Sequence, residues 1–143
     1  MRKPVQILMV DDDMDDQLLF QRALKKIDLS LICETAEDGA EALIKLEIPP
    51  PPDVIFLDLN MPVMNGFECL SVLKKEEKYK NIPIIIYSTA NDPGTIEKAR
   101  ELGANAFFSK PTDFSLLSVK LNNLLHSISD SNIHFSSTFE FVV

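Results

Sequence analysis

The sequence predicts an α/β domain of the doubly wound type, in which helices cover both faces of a parallel sheet. Short apolar runs of strand length alternate five times with segments of helical periodicity. These runs lack the polar alternation of a sheet that has one face in water, so both faces are expected to be buried. The chain has 143 residues, near the commonest size of a single domain, and 45% of them are hydrophobic. We therefore predict one packed domain built from five βα units.

The first three βα units occupy the first half of the chain. Their strands are the apolar runs 5–10, 31–35 and 53–57. The first helix carries apolar residues at the spacing of a buried helix face: Phe20, Ala23, Leu24 and Ile27. The second helix opens with Asp38 and Glu41, which resemble a capping box, and it ends at a run of four prolines. The third helix is expected over residues 67–75.

Two further units complete the domain, with strands over residues 83–87 and 106–108. Between them, Asp92 followed by Pro93 predicts the N-cap and first position of a helix that ends at Gly103. The last helix is expected over about residues 113–128, and its apolar stripe consists of Leu117, Leu121, Leu124 and Leu125. The packed domain is thus predicted to cover residues 1–128.

Residues 129–143 are expected to form a C-terminal tail. Their first part is rich in serine, and residues 138–143 alternate weakly between apolar and polar. An edge strand, packed on its own domain or across a dimer interface, is the alternative to a mobile tail. About fifteen residues are too few to build a separate output domain. A monomer and a homodimer both remain open.

Charge and composition exclude several classes of protein. The formal net charge is -8 and the isoelectric point is about 4.7. Such a surface repels phosphate backbones and anionic lipids, so we expect neither nucleic-acid nor membrane binding. The apolar runs are far shorter than the ~20 residues that span a bilayer, and no signal peptide is recognisable, so a cytoplasmic location is expected. Cys33 and Cys69 are interpreted as reduced thiols in or near the core.

Polar side chains follow four of the predicted strands at the point where each strand ends. They are Asp11, Asp12 and Asp13, then Asp58 and Asn60, then Ser88 and Thr89, and finally Lys110 before Pro111. Ligands of doubly wound sheets bind beyond the carboxyl ends of the strands. Carboxylates that converge there repel each other by about 3 kcal/mol per pair at 5 Å and a dielectric constant near 20, so the cluster needs a cation. Carboxylate, carbonyl and water oxygens suit Mg2+, and Mn2+ is also possible.

The same residue types can carry out phosphoryl transfer. A cation and Lys110 would neutralise phosphoryl oxygens, while Ser88 would donate a hydrogen bond to another oxygen. A carboxylate that still faces the pocket would act as the nucleophile. The product would be an aspartyl phosphate.

Four ordered motifs resemble the receiver domain of bacterial two-component response regulators, the CheY-like family. They are Met-Val-Asp-Asp-Asp at 9–13, Phe-Leu-Asp-Leu-Asn-Met-Pro at 56–62 with Gly66, Tyr-Ser-Thr-Ala at 87–90, and Leu-Gly-Ala at 102–104 with Ser-Lys-Pro at 109–111. Ser88 follows Asp58 by 30 residues and Lys110 follows Ser88 by 22, which is also the family spacing. The resemblance covers about residues 5–128, and it implies a flavodoxin-like sheet with the strand order 2-1-3-4-5.

The resemblance gives a role to each residue at the strand ends. It makes Asp58 the phosphoacceptor and Asp12 a direct Mg2+ ligand, whereas Asp11 would act mainly through water. Asn60 would bind Mg2+ through its backbone carbonyl. Lys110 would contact the phosphoryl group.

Ser88 and Phe107 stand at the positions of the family's conformational switch. On phosphorylation the hydroxyl moves toward the phosphoryl group and the aromatic ring turns inward. Ser88 is preferred to Thr89 because of its spacing to Lys110, and side chains alternate along a strand, so only one of the two hydroxyls should point inward. The family also has a cis peptide bond between Lys110 and Pro111, which would aim the lysine.

The resemblance implies a function in a phosphorelay. A sensor histidine kinase or a histidine phosphotransfer protein would supply the phosphoryl group. The switch would then signal to a target protein at the face formed by the fourth helix, the fifth strand and the fifth helix. Such a receiver phosphorylates and dephosphorylates itself and is not a turnover enzyme. An intermediate in a phosphotransfer relay, or a sink for phosphate, is the alternative.

Three other kinds of site fit these residues less well. A phosphatase of the haloacid dehalogenase type also forms an aspartyl phosphate, but Asn60 stands where its second aspartate is expected and Asp113 stands alone after the lysine. A flavodoxin needs hydroxyl and glycine residues after the first strand, where three aspartates would repel the FMN phosphate. An EF-hand that begins at Asp11 would have Asp16 at its sixth position, where glycine is required.

Overall fold

A computed structural model describes residues 4–129 and 140–142, and it confirms the five βα units. The strands are β1 (Val5–Val10), β2 (Leu31–Ala36), β3 (Val54–Leu57), β4 (Ile84–Ser88), β5 (Ala106–Ser109) and β6 (Glu140–Val142). The helices are α1 (Met14–Leu24), α2 (Gly39–Leu46), α3 (Gly66–Lys75), α4 (Pro93–Glu101) and α5 (Phe114–Ser129). Each of the five predicted units is therefore present.

All strands belong to one parallel sheet in the order β2-β1-β3-β4-β5-β6. The predicted order of the first five strands is confirmed. Because the strands run parallel, their carboxyl ends share one edge of the sheet. Strands β2 and β3 lie on opposite sides of β1. The gap between β1 and β3 is therefore the topological switch point, where doubly wound folds bind ligands.

Strand β6 extends the sheet beyond the five predicted strands. It pairs with β5 in parallel register, Ala106 opposite Glu140 and Phe108 opposite Val142. It lies in the segment predicted as a tail and agrees with the edge-strand alternative for residues 138–143. The remainder of that segment, residues 130–139 and 143, lies outside the described residues.

Two apolar layers cover the faces of the sheet. On the α1 and α5 side, the ring of Phe20 meets Phe56 edge to face at 5.0 Å and Tyr87 at 5.5 Å, and Tyr87 meets Phe108 at 5.5 Å. Each such pair contributes about 0.5–1.5 kcal/mol beyond its buried area. The other layer, formed by α2, α3 and α4, is mainly aliphatic. The edge-to-face ring contacts of the core are thus concentrated on the α1 and α5 side.

Helix α4 has the least buried surface to hold it. Ala99 is the one buried residue among its nine. The helix begins as predicted, because the side chain of Asp92 accepts a hydrogen bond from the Thr95 amide at 3.1 Å and Pro93 follows the cap. Gly103, with a φ of 102°, ends the helical segment in a left-handed conformation that suits glycine.

Local capping fixes the starts of α2 and α3. Asp38 caps α2 by accepting a hydrogen bond from the Glu41 amide at 2.8 Å. The capping box that is complete on both sides belongs to α3 and joins Asn65 and Glu68.

Cys33 on β2 and Cys69 on α3 are free thiols, half-buried and buried respectively. The described helices include none with the length and apolar character needed to cross a bilayer.

Candidate functional site

The carboxyl edge of the sheet collects polar side chains. Asp11 follows β1, Asp58 follows β3, Ser88 ends β4 and Lys110 follows β5. Backbone pairing continues into these residues: the Asp58 amide donates to the Val10 carbonyl at 2.9 Å, and the Lys110 amide donates to the Ser88 carbonyl at 3.0 Å. The sheet thus fixes the points from which the side chains extend.

Lys110 lies at the centre of this site. Its Nζ donates to Asp11 Oδ2 at 2.8 Å, to Asp16 Oδ2 at 2.8 Å and to Asp58 Oδ2 at 3.3 Å. The lysine side chain is 9% exposed. Its Nζ also lies 5.2 Å from the centroid of the Tyr87 ring, within the range of a cation–π contact. One ammonium faces three carboxylates, so the site keeps a negative charge.

Asp11, Asp12 and Asp58 form a carboxylate cluster. One oxygen from each lies within 4.8 Å of the others. Asp11 and Asp58 are buried, whereas Asp12 is exposed. Hard oxygen donors of this kind, with one side open to water, fit Mg2+ or Mn2+. The donor set therefore has the chemistry of the predicted metal site.

Backbone amides hold the two buried carboxylates in place. The Leu59 amide donates to Asp58 Oδ1 at 2.8 Å. The Asp13 amide donates to Asp11 Oδ1 at 2.9 Å. Each buried carboxylate therefore binds an amide with one oxygen and Lys110 with the other.

Burial changes the proton affinity of these groups. It raises the pKa of Asp11 to about 6, although hydrogen bonds from Lys110 and from the Asp13 amide oppose this rise. Burial alone would lower the pKa of Lys110, but hydrogen bonds to Asp11 and Asp16 and the charge of Asp58 outweigh it and raise the pKa. Lys110 is therefore charged at neutral pH, while the charge on Asp11 is held at an energetic cost.

The two hydroxyl residues after β4 differ in exposure, as side-chain alternation predicts. Ser88 is 1% exposed, and its Oγ accepts a hydrogen bond from the Ala90 amide at 3.2 Å. Thr89 is exposed. Ser88 is thus the inward-facing residue of the pair, and its switching role stays a prediction.

Phe107 is fully buried on the α2–α4 side of the sheet. It lies opposite Ile86 of β4 in the sheet register. Its role as a switch residue stays a prediction.

The predicted cis bond between Lys110 and Pro111 is wrong for this structure, where the cis peptide bond among the described residues joins Pro49 and Pro50. The trans form of an X-Pro bond is favoured by about 0.5–1 kcal/mol. The long lysine side chain reaches its carboxylate partners from the trans bond. Asn60 is exposed two residues after Asp58, between buried Leu59 and Met61, and its role as a carbonyl ligand stays a prediction.

Sequence reasoning missed Asp16 as a partner of Lys110. In the run of acids at the start of α1, nothing distinguishes Asp16 from its exposed neighbour Asp15. The signal that could have found it is the N-cap at Asp13, which sets the rotation of the helix. With that start known, helical geometry decides which side chain of the first turn faces the sheet edge.

The loop between β3 and α3 approaches Asp58 very closely. The Gly66 amide donates to the Leu59 carbonyl at 2.9 Å. A Cβ atom on Gly66 would overlap the carbonyl oxygen of Asp58 and would lie 2.7 Å from Leu59 Cα. Glycine at position 66 is therefore required by the space beside Asp58.

Within the same loop, exposed Val63 has a φ of 67°, a strained conformation for a β-branched residue.

The sheet order and the acidic and lysine groups at its carboxyl edge agree with the receiver domain that the sequence motifs predict. The family model of the response regulator receiver domain matches residues 7–122. The chain therefore belongs to the receiver domains of two-component response regulators, which serve phosphorelay signalling. Receiver domains bind a divalent metal, and the cluster of Asp11, Asp12 and Asp58 is present here.

Individual relatives agree with this assignment. The chemotaxis protein CheY1 of Helicobacter pylori is 30% identical over 121 residues, which are 85% of this chain and 97% of CheY1. The phosphorylated cyanobacterial phytochrome response regulator RcpA is 27% identical with a TM-score of 0.84, and the match covers 92% of this chain and 98% of RcpA. The Mn2+-bound form of the response regulator Rcp1 is 26% identical with a TM-score of 0.81, over 92% and 99% of the two chains.

Proposed function

We propose that this chain is a phosphorylation-activated receiver whose Asp58 takes a phosphoryl group from a sensor histidine kinase or a histidine phosphotransfer protein. The observation that carries the proposal is the contact of the buried Asp58 carboxylate with Lys110 inside a carboxylate cluster. Membership of the receiver family supports it, as does the phosphorylated state of the similar protein RcpA.

In the proposed step, a carboxylate oxygen of Asp58 attacks the phosphorus atom of the donor. An O–P bond forms, and the bond between phosphorus and the donor's histidine nitrogen breaks, so that nitrogen keeps the electron pair. Mg2+, held by Asp11, Asp12, Asp58 and the Asn60 carbonyl, would supply positive charge to the phosphoryl oxygens. Lys110 Nζ lies 3.3 Å from Asp58 Oδ2, within reach of another of these oxygens.

The signal is proposed to leave through Ser88 and α4. The Ser88 hydroxyl accepts one hydrogen bond from the Ala90 amide, which leaves its hydrogen able to donate to a phosphoryl oxygen. Ala99 is the one buried residue of helix α4, and Ile96 is partly buried beside it, so the loop that joins the helix to β4 would move at a small cost. Phe107 belongs to the same apolar cluster as Ala99, so a movement of α4 would change the packing around its ring.

A target protein would bind the face formed by α4, β5 and α5. The backbone of β6 lies along the outer edge of β5 and so belongs to that face. A relay intermediate or a phosphate sink would use the same acceptor and differ in the molecule that finally receives the phosphoryl group. In each case the chain modifies itself in the cytoplasm, where a kinase can reach it, and is not a turnover enzyme.

The test is the intact mass of the protein after incubation with acetyl phosphate, with and without Mg2+. We expect one added phosphoryl group in the presence of Mg2+, and none with Asp58→Asn or with EDTA. Asp28→Asn, which removes an exposed carboxylate of the same type, should behave as the wild type. Phosphorylation of Asp58→Asn to the wild-type level would disprove the assignment of the acceptor.

A fast hydrolysis could hide the product, so a second measurement uses beryllofluoride, a stable mimic of the phosphoryl group. We expect Mg2+-dependent shifts in the NMR signals of Ser88 and Phe107 in the wild type and none in Asp58→Asn. Unchanged spectra, together with an unchanged mass, would rule out the proposed function.

A further inference from the structure

Asp16 differs from the other two carboxylates that contact Lys110. Asp11 and Asp58 belong to the carboxylate cluster, whose third member among the described residues is Asp12. Asp16 lies outside that cluster and approaches from α1. Its Oδ2 accepts a hydrogen bond from Lys110 at 2.8 Å, which is shorter than the 3.3 Å contact between Lys110 and Asp58. Asp16 therefore pairs with the lysine without being one of the candidate metal ligands.

The first turn of α1 is fastened so that Asp16 is held beside Lys110. The Asp13 side chain caps the helix and accepts from the Asp15 amide at 2.8 Å and from the Asp16 amide at 3.2 Å. Buried Gln17 donates from Nε2 to the Asp11 carbonyl at 2.6 Å, which ties the helix to the end of β1. Asp16 is thus held in place by hydrogen bonds of residues before it and after it in the chain, Asp13 and Gln17.

A cation at the carboxylate cluster would need the same oxygens that now pair with Lys110. Both oxygens of Asp11 already accept hydrogen bonds, one from the Asp13 amide and one from Lys110. The lysine side chain is 9% exposed, and a buried ammonium that loses its partners is strongly destabilised. Without a further acceptor, lysine and cation would compete for Asp11 and Asp58.

We propose that Asp16 is a positioning residue that keeps Lys110 paired when a divalent cation occupies the cluster. The Asp16 carboxylate satisfies the ammonium from the α1 side, so cation binding and lysine pairing become compatible. This inference deepens the proposed function, because it rests on Lys110 acting beside Asp58. Helix α1 thereby supplies a carboxylate partner for Lys110 that the residues at the strand ends do not provide.

The test compares Asp16→Asn with a matched control, Asp15→Asn. Both variants remove one negative charge from the first turn of α1, but the exposed Asp15 side chain does not contact Lys110. Asp16→Glu is the conservative variant. Mg2+ affinity is measured by calorimetry, and the side-chain ammonium of Lys110 is followed by nitrogen–proton NMR with and without Mg2+. Circular dichroism confirms that each variant is folded.

For Asp16→Asn we expect the Mg2+ dissociation constant to rise about tenfold, because a weaker bond to a neutral amide oxygen replaces the charge-assisted hydrogen bond from Lys110. Asp15→Asn should raise it by less than about twofold to threefold, since exposed charges interact weakly. The Lys110 ammonium signal should survive Mg2+ addition in the wild type and in Asp16→Glu. It should broaden beyond detection in Asp16→Asn once Mg2+ is bound, because the ammonium then exchanges with water.

Equal rises in the dissociation constant for Asp15→Asn and Asp16→Asn would overturn the inference, since charge alone would explain them. A Lys110 signal that persists in Mg2+-bound Asp16→Asn would overturn it as well. Neither readout involves phosphoryl transfer. Expected results here, combined with no phosphoryl uptake by the wild type, would therefore contradict the proposed function and leave the role of Asp16 standing.

Discussion

The two faces of the sheet and its carboxyl edge are built from opposite kinds of residue. The buried polar and charged side chains of the described chain all lie at or beside the carboxyl edge: Asp11, Gln17, Asp58, Ser88 and Ser109. The two layers that cover the faces consist of apolar clusters. Burial of apolar surface favours folding, whereas burial of like charges opposes it. The apolar faces therefore raise the free energy of unfolding, whereas the like charges buried at the carboxyl edge lower it.

The largest effect is expected from the aromatic side of the sheet. Phe20→Ala removes a fully buried ring that contacts Phe56 and Tyr87, and it should lower the free energy of unfolding by about 3–5 kcal/mol. Urea unfolding followed by circular dichroism measures the loss. Leu18→Ala, on the half-exposed face of the same helix, should cost less than about 1 kcal/mol. Equal losses in the two variants would contradict the packing described for this side.

A smaller loss is expected where the core meets the site. Gly66→Ala places a methyl group against the Asp58 carbonyl, so the backbone must shift, and stability should fall by about 1–3 kcal/mol. Phosphoryl uptake from acetyl phosphate should fall as well. Gly94→Ala is the control, because its Cβ would come no closer than 3.5 Å to Asp92 Oδ2 in an exposed helix start. If Gly66→Ala takes up the phosphoryl group normally, the close approach at Asp58 does not matter for the site.

At the carboxyl edge we expect a gain of stability from the loss of a charge. The pKa of Asp11 is about 6 in the folded chain, above the ~3.9 of an unfolded aspartate. The folded state therefore binds this proton more tightly, and the contribution of Asp11 to the free energy of unfolding falls as the pH rises from 4 to 6. Asp11→Asn should raise stability by about 1–3 kcal/mol at pH 7 in EDTA.

Urea unfolding at pH 7 and at pH 4.5 checks this expectation. The gain from Asp11→Asn should shrink at the lower pH, where Asp11 is largely protonated in the folded chain. Asp28→Asn, at an exposed position, should show little change at either pH. A loss of stability for Asp11→Asn at pH 7 would reverse the contrast drawn between the faces and the edge.

The smallest effect is expected at the strained loop beside the site. Val63→Gly relieves a positive φ at an exposed position, and it should raise the free energy of unfolding by about 0.5–1 kcal/mol. Thermal unfolding is sensitive enough to detect this. Val119→Gly, at an exposed position within α5, should have the opposite sign because glycine weakens a helix. Destabilisation by both changes would mean that the strain at Val63 is smaller than the conformational entropy that glycine adds to the unfolded chain.

Residues on or directly after strands were predictable from the sequence. Asp11, Asp58 and Lys110 meet because the carboxyl ends of parallel strands share an edge, and an apolar run shows where each strand ends. Alternation along β4 also distinguishes Ser88 from Thr89. These rules act over a few residues, so one sequence is enough to apply them.

Features that depend on packing between distant segments were not predictable in the same way. The contact of Asp16 with Lys110 depends on the rotation of α1, which the Asp13 cap and the Gln17 hydrogen bond set. The isomer at Pro111 depends on a preference of about 0.5–1 kcal/mol that tertiary contacts can override. The alternation over residues 138–143 is too weak to choose between a tail and an edge strand, and the place of β6 depends on the edge that β5 offers.

Strand β6 determines which backbone groups of the sheet remain open to another chain. An unpaired edge strand is a template for aggregation, and the four residues of β5 are all buried and mostly apolar. With β6 paired to β5, the outermost described strands are β2 and β6. β2 carries the exposed charge of Glu34, and the Lys45 ammonium covers its Thr35 carbonyl. The pairing with β6 therefore leaves the backbone of β5 without an open edge along Ala106–Phe108.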